Sequence, residues 1–148
     1  MSVEDYFSEQ DRQQILSSIK EAEKNTSGEI RLFIEKKCEG NVLDRAAYIF
    51  HEIGMDRTQE KNGVLFYMAF DSHKFAILGD SGINAKVPED FWHEIKMIMQ
   101  QHFVDGNFVK GLKEGIRLSG HALSLHFPYS KSDKNELPDD IIFGKGKA

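Results

Sequence analysis

Apolar and polar positions follow a helical period in four stretches of the chain and a strand period in three. Over residues 8–24, Ile15, Ile19 and Ala22 recur along one helical face while Gln, Lys and Glu fill the other, the spacing of an amphipathic helix. Ser8-Glu9-Gln10-Asp11 opens it in the manner of a capping box, and Asn25-Thr26-Ser27-Gly28 breaks it. Residues 29–35 then alternate polar and apolar through Leu32, as a strand with one buried face does, so Glu29 and Arg31 share a face. A second helix begins at Asn41, with Leu43, Ala46, Ala47, Phe50 and Ile53 as its core stripe and Gly54 just past its end.

After a polar connection over residues 55–61, a continuous apolar run (64–70), a reversal at Asp71-Ser72-His73 and a shorter apolar run (75–78) read as a β-hairpin. Gly79-Asp80-Ser81-Gly82 leaves the second strand with glycines flanking a carboxylate, which predicts positive φ and close approach of a ligand. Pro88, followed by Glu89 and Asp90, suits the first position of a third helix, whose stripe is Phe91, Trp92, Ile95, Ile98, Met99 and Phe103. Asp105-Gly106-Asn107 turns the chain into a last helix over residues 108–126, with Leu112, Ile116 and Leu123 inward and Gly111, Gly115 and Gly120 permitting close packing. The order helix, strand, helix, strand, strand, helix, helix predicts an α/β fold, a three-layer α/β/α sandwich with a mixed sheet covered on both faces. Residues 1–127 read as that domain. Residues 128–148 read as a polar, flexible tail in which Ile141-Ile142-Phe143 forms a patch able to dock on the domain.

Composition narrows the function. With 148 residues, 24 acids against 19 bases and a net charge of -5, the chain is one domain without a basic stripe, so nucleic acid is not an expected partner. Cys38 is the single cysteine, which excludes an internal disulfide and a cysteine-built zinc site. The six histidines form no His-x-x-x-His pair with a third ligand near in sequence. An acidic N-terminus without an apolar core segment, and no run of eighteen apolar residues, predict neither signal peptide nor membrane insertion, with the cytoplasm as the default compartment.

Gly28-Glu29-Ile30-Arg31, Asn62-Gly63-Val64-Leu65, Lys74 to Ile83 and Phe103 to Leu112 occur in the order and over the span that resemble the TPM domain, the family of the thylakoid-lumen acid phosphatase and related bacterial proteins. The resemblance covers about residues 8–127, to the short soluble bacterial branch. It implies a Rossmann-like α/β/α sandwich, a divalent metal, often calcium, bound by acidic loops at one edge of the sheet, and acid phosphatase activity in some members. Two departures bear on that carry-over. Gly79-Asp80-Ser81-Gly82 stands where the family commonly has Gly-Tyr-Gly, and Asn107 stands where an aspartate often follows the glycine.

Among individual residues, Asp80 is the leading candidate ligand: it ends a sheet strand before a helix, where open α/β sheets bind ligands, and hard cations take carboxylate and carbonyl oxygens. An aspartate accepting backbone N–H bonds in its own turn is the plainer reading. Glu29 either reaches the metal or pairs with a base such as Arg31. Asp71 and Asp105 are also candidate ligands, although turns select aspartate at both places. Asp56 reads as a loop acid, and Ser81 has no adjacent base to make it a nucleophile. Walker, EF-hand, GxSxG and aspartyl-phosphatase motifs are absent. Three functions follow. The first is a Ca²⁺ (or other divalent cation) binding module of structural or regulatory role, with Asp80 and one or more of Glu29, Asp71 and Asp105 as ligands. The second is a metal-assisted acid phosphatase acting on phosphomonoesters. The third is a metal-free domain for a protein partner, docking through Ile141-Ile142-Phe143 or the Trp92 surface.

Overall fold

A four-stranded mixed sheet in the order β3-β2-β1-β4 is the middle layer of the computed structural model, which describes residues 2–129 and 141–144. Its strands are β1 (Glu29–Glu35), β2 (Gly63–Ala69), β3 (Lys74–Gly79) and β4 (Ile141–Phe143). β1 runs parallel to β2, from Glu29 opposite Gly63 to Glu35 opposite Ala69, and parallel to β4 on its other edge. β3 returns antiparallel to β2 through the turn at residues 70–73, where His73 takes a positive φ of 54°.

Side-chain alternation divides the core in two. Ile30, Leu32, Ile34, Val64, Phe66 and Met68 face α1 (Glu9–Glu23), α4 (Phe91–Val104) and α5 (Phe108–His126). Phe33, Leu65, Tyr67, Ala69 and Ala76 face α2 (Val42–Glu52) and the 3₁₀ turn Met55–Arg57. Helices therefore cover both faces, as the element order predicts, and no helix among the described residues is long and apolar enough to cross a membrane.

Local chemistry explains the helix limits. Ser8 caps α1: its Oγ accepts the Asp11 N–H at 3.0 Å while an Asp11 carboxylate oxygen accepts the Ser8 N–H at 3.2 Å. α4 ends in a Schellman turn, with Gly106 at φ 81°, its N–H on the Phe103 carbonyl and the Asn107 N–H on the His102 carbonyl. The α5 glycines lie where a Cβ would strike Phe103, Met99 or Ala22 at 2.4–2.6 Å, so α5 packs at a distance that a side chain there would prevent.

Several expectations are corrected. Pro88 precedes α4 instead of opening it; its carbonyl accepts the Phe91 N–H, and Asp90 holds the cap position. A one-turn helix, α3 (Ser81–Asn84), forms between β3 and α4, where the pattern shows no helix. Ile98 in α4 is exposed. The inward stripe of α2 is Val42, Ala46, Ile49, Phe50 and Ile53, while Leu43 and Ala47 face outward. That stripe, at i, i+4, i+7, i+8 and i+11, is a regular helical face, and it leaves Arg45 placed to reach Glu35. Ile141–Phe143 is not a loose patch but the fourth strand, with the Gly144 N–H on the Ile34 carbonyl at 2.7 Å. Residues 130–140 and 145–148 of the expected tail lie outside the described residues.

Glu35 is buried at the end of β1 and receives both Arg45 Nε and Nη2, at 2.8 and 2.9 Å, together with a short hydrogen bond from the Tyr67 hydroxyl. A buried carboxylate stripped of such donors is costly. Arg45→Ala should therefore lower the unfolding free energy by about 3 kcal/mol in urea, at the low end for a broken buried pair because the Arg45 side chain is 36% exposed. Burial, then the Glu35 carboxylate, push the Tyr67 phenol well above the ordinary tyrosine range. A raised folded-state pKa stabilises fully below the unfolded value of about 10, and that contribution is lost as pH climbs beyond it. Melting curves across pH 9–12 should accordingly fall less steeply for Tyr67→Phe than for wild type.

Candidate functional site

β3 ends at Gly79, and the chain leaves it through Asp80, the cap of α3. The Asp80 N–H extends the ladder to the Gly63 carbonyl at 2.9 Å, and Asp80 Oδ1 accepts the Ser81 N–H at 2.7 Å. The N–H groups of Gly82 and Ile83 both reach the Lys61 carbonyl. Trp92 Nε1 donates to Asn84 Oδ1, and Asn84 Nδ2 donates to the Gly79 carbonyl. The corner is thus tied to residues 61–63 on one side and to α4 on the other.

Its glycines serve a different purpose from the one their sequence context implies. Neither Gly79 nor Gly82 has a positive φ; among the described glycines only Gly54 and Gly106 do. A Cβ on Gly79 would lie 2.5 Å from the Trp92 ring, and one on Gly82 would lie 2.0 Å from the Glu60 carbonyl oxygen. Both positions are small because backbone and indole press against them.

The four predicted acids separate into two pairs. Glu29 stands opposite Gly63 in the β1–β2 register, and Asp80 stands on the other side of Gly63. Alternation puts both on the α2 face, two strand spacings or about 10 Å apart, with the side-chain-free Gly63 between them. The space a Gly63 Cβ would enter is bounded by the Met55 carbonyl oxygen at 3.0 Å. Asp71 lies in the β2–β3 turn at the other end of the sheet, and Asp105 caps the end of α4 beside it. Phe103 packs on Phe75, and Phe108 packs on Phe70. The seven residues of β2 hold the two ends about 20 Å apart at ~3.3 Å per residue, so one ion cannot serve both pairs. Among the described residues no three His, Cys, Asp or Glu side chains converge on a common point.

The strand direction also corrects the reason for choosing Asp80. Ligands in open α/β sheets sit beyond the carboxyl ends of the parallel strands. β3 is antiparallel, so Asp80 lies at the amino ends of β1 and β2.

The Asp80 rim carries two unanswered oxygens. Asp80 Oδ2 is buried and accepts no hydrogen bond, and neither does Asn62 Oδ1 in a residue only 1% exposed. Buried acceptors without a donor are rare and call for a water or an ion. Asn62 Nδ2 donates to Ser27 Oγ and Glu60 Oε2, and Ser27 Oγ donates to Glu60 as well. Glu60 and Asn62 thus join this rim although sequence patterning reads only a polar connection there; the one cue is the Asn-Gly pair at the strand's start. Asp56 faces His51 Nδ1 at 2.7 Å, and that hydrogen bond holds its carboxyl below the usual range. Ser81 is exposed as the first residue of α3.

The chain matches the TPM domain family over residues 2–121. Among solved structures, the NMR structure of BA42 protein from the psychrophilic bacterium Bizionia argentinensis is 44% identical, with 96% of this chain and 98% of that one covered and a TM-score of 0.88. The N-terminal domain of a protein from P. gingivalis is 20% identical over 84% of this chain and 82% of that one, with a TM-score of 0.65. The N-terminal domain of the cg2496 protein from Corynebacterium glutamicum is 10% identical over 99% and 86%, also at 0.65. The last two likenesses concern fold alone. Comparison with curated proteins gives no match.

Steric demand at the corner is checked by two alanine substitutions. Gly82→Ala should destabilise by about 2–3 kcal/mol through overpacking against backbone, whereas Gly40→Ala, where a Cβ meets nothing within 4 Å, should leave the melting temperature near wild type.

Proposed function

The chain belongs to the TPM domain family, and on that premise we propose that it is a divalent-cation-binding domain of structural or regulatory role, with Ca²⁺ the fitting ion and Asp80 and Glu29 its charged ligands. The observation that carries this reading is the buried, donorless Asp80 Oδ2 on the same sheet face as Glu29. Ca²⁺ takes six to eight oxygens, mixing carboxylates, carbonyls, amide oxygens and water. The Met55 carbonyl borders the same gap and is an oxygen of that kind. An ion there would draw the end of β3 toward β1 across the glycine gap. Asp71 and Asp105 take no part in this ion.

Cation binding is preferred to phosphomonoester hydrolysis because it needs only oxygens held in place. Hydrolysis needs, besides the ion, a group that protonates the leaving oxygen, and the observations at this rim nominate none. A metal-free partner domain would leave the donorless oxygens at this rim without an account.

Asp80→Asn is a clean probe, since asparagine caps a helix as well as aspartate and only the charge is lost. Titration of wild type with Ca²⁺ should shift the Gly79, Ser81 and Gly82 amides saturably. The variant should bind at least about tenfold more weakly, because even residues that merely support a metal's ligands cost 10- to 100-fold. Amides that stay still at saturating Ca²⁺, or equal affinity in the two proteins, would remove the ion from this rim. Hydrolysis of an aryl phosphate at mildly acidic pH, lost in Asp80→Asn, would instead favour the phosphatase.

A further inference from the structure

The carboxyl ends of β1 and β2, where a parallel sheet ordinarily receives its ligand, carry a separate feature: a groove of about 740 Å³ between the starts of α1 and α5 and the residue that follows β2. That volume suits a small organic ligand. One wall is aromatic, with Tyr6 stacked on Phe70 at 4.8 Å and Phe70 against Phe108 at 5.0 Å. The opposite side carries Lys110 and Lys113, both exposed on α5.

Charge decides what the groove takes. Its acids are already engaged: Asp11 accepts the Ser8 N–H in the cap of α1, Glu114 is held by the Arg117 guanidinium, and Asp71, at the groove's edge, accepts a hydrogen bond from the Tyr6 hydroxyl. Neither lysine has a carboxylate within 4 Å among the described residues. The first turn of α5 contains no acid, and Asn107 gives it no side-chain cap, so its peptide dipoles add to the positive side. The groove thus pairs ring faces with two ammonium groups that make no close ion pair among the described residues.

We infer that this groove binds a small planar aromatic anion, an aryl carboxylate being the simplest case, its ring laid against Tyr6, Phe70 and Phe108 and its charge met by Lys110 and Lys113. A cation finds the acids taken, and a neutral aromatic leaves the ammonium groups unused. The site lies at the opposite end of the sheet from the Asp80 rim and does not depend on it.

The test uses the full chain in buffer free of divalent cations, titrated with 2-naphthoate and followed by amide NMR. Saturable shifts are expected at Phe70, Phe108, Val109 and Lys110, with the Gly79 to Gly82 amides still. Lys110→Ala with Lys113→Ala should weaken binding about tenfold, the worth of one charge-assisted contact, and the two exposed positions leave the fold intact. Added salt should weaken binding in wild type more than in the double variant. The proposal is overturned if the groove amides do not move, if the double variant binds equally well, or if 2-naphthalenemethanol, the neutral analogue, binds as tightly as 2-naphthoate.

Discussion

β1 is hydrogen-bonded on both edges and covered on both faces, yet it carries Glu29, Arg31 and Glu35, all buried on one side. Placing three charged side chains inside the sheet is the constraint from which the α2 layer follows. Desolvating a carboxylate costs several kcal/mol unless donors surround it. For Glu35 the donors come from two different elements, Arg45 on α2 and Tyr67 on β2. The same orientation of α2 that seats Arg45 on Glu35 puts Val42, Ala46 and Ile49 in the apolar contact and Leu43 in solvent.

The reversal of β3 is the second constraint. Had that strand run parallel to β2, Asp80 would lie beside Asp71 and Asp105, and the predicted acids would share one end. As an antiparallel strand it carries Asp80 to the amino end of β1, beside Glu29. A hairpin reverses direction by construction, so this consequence was present in the residues 71–73 turn. It went against the crevice rule, which presumes parallel strands.

Elements whose signals are local were legible in the sequence. The Ser8 box, the Gly54 and Gly106 terminations and the full length of α5 all rest on neighbours within a few residues, whereas β1, whose alternation predicts one buried face, is buried on both. Features that depend on distant partners were not. β4 is three residues long and pairs with a strand more than a hundred positions earlier, and no periodicity announces such a pairing. Gly79 and Gly82 were visible as glycines, but the reason for them, an indole and a carbonyl pressed against the corner, belongs to tertiary contact. Membership of the rim was half legible: Asp80 and Glu29 stood out by residue type, while Glu60 and Asn62 join only because Ser27 brings their side chains together.

The two ends of the sheet now differ in the charge they leave unmet, oxygens at the Asp80 rim and ammonium groups beside Phe108. β2 touches both, since Gly63 borders the rim and Phe70 borders the groove. Coupling between distant sites requires an element with two arrangements that both sites bias. β2 is buried at all seven residues and paired along both edges, so a shift of it would break two ladders at once. An ion bound at the rim would therefore act locally, with no route through that strand to the groove, and occupancy at the two ends should be independent.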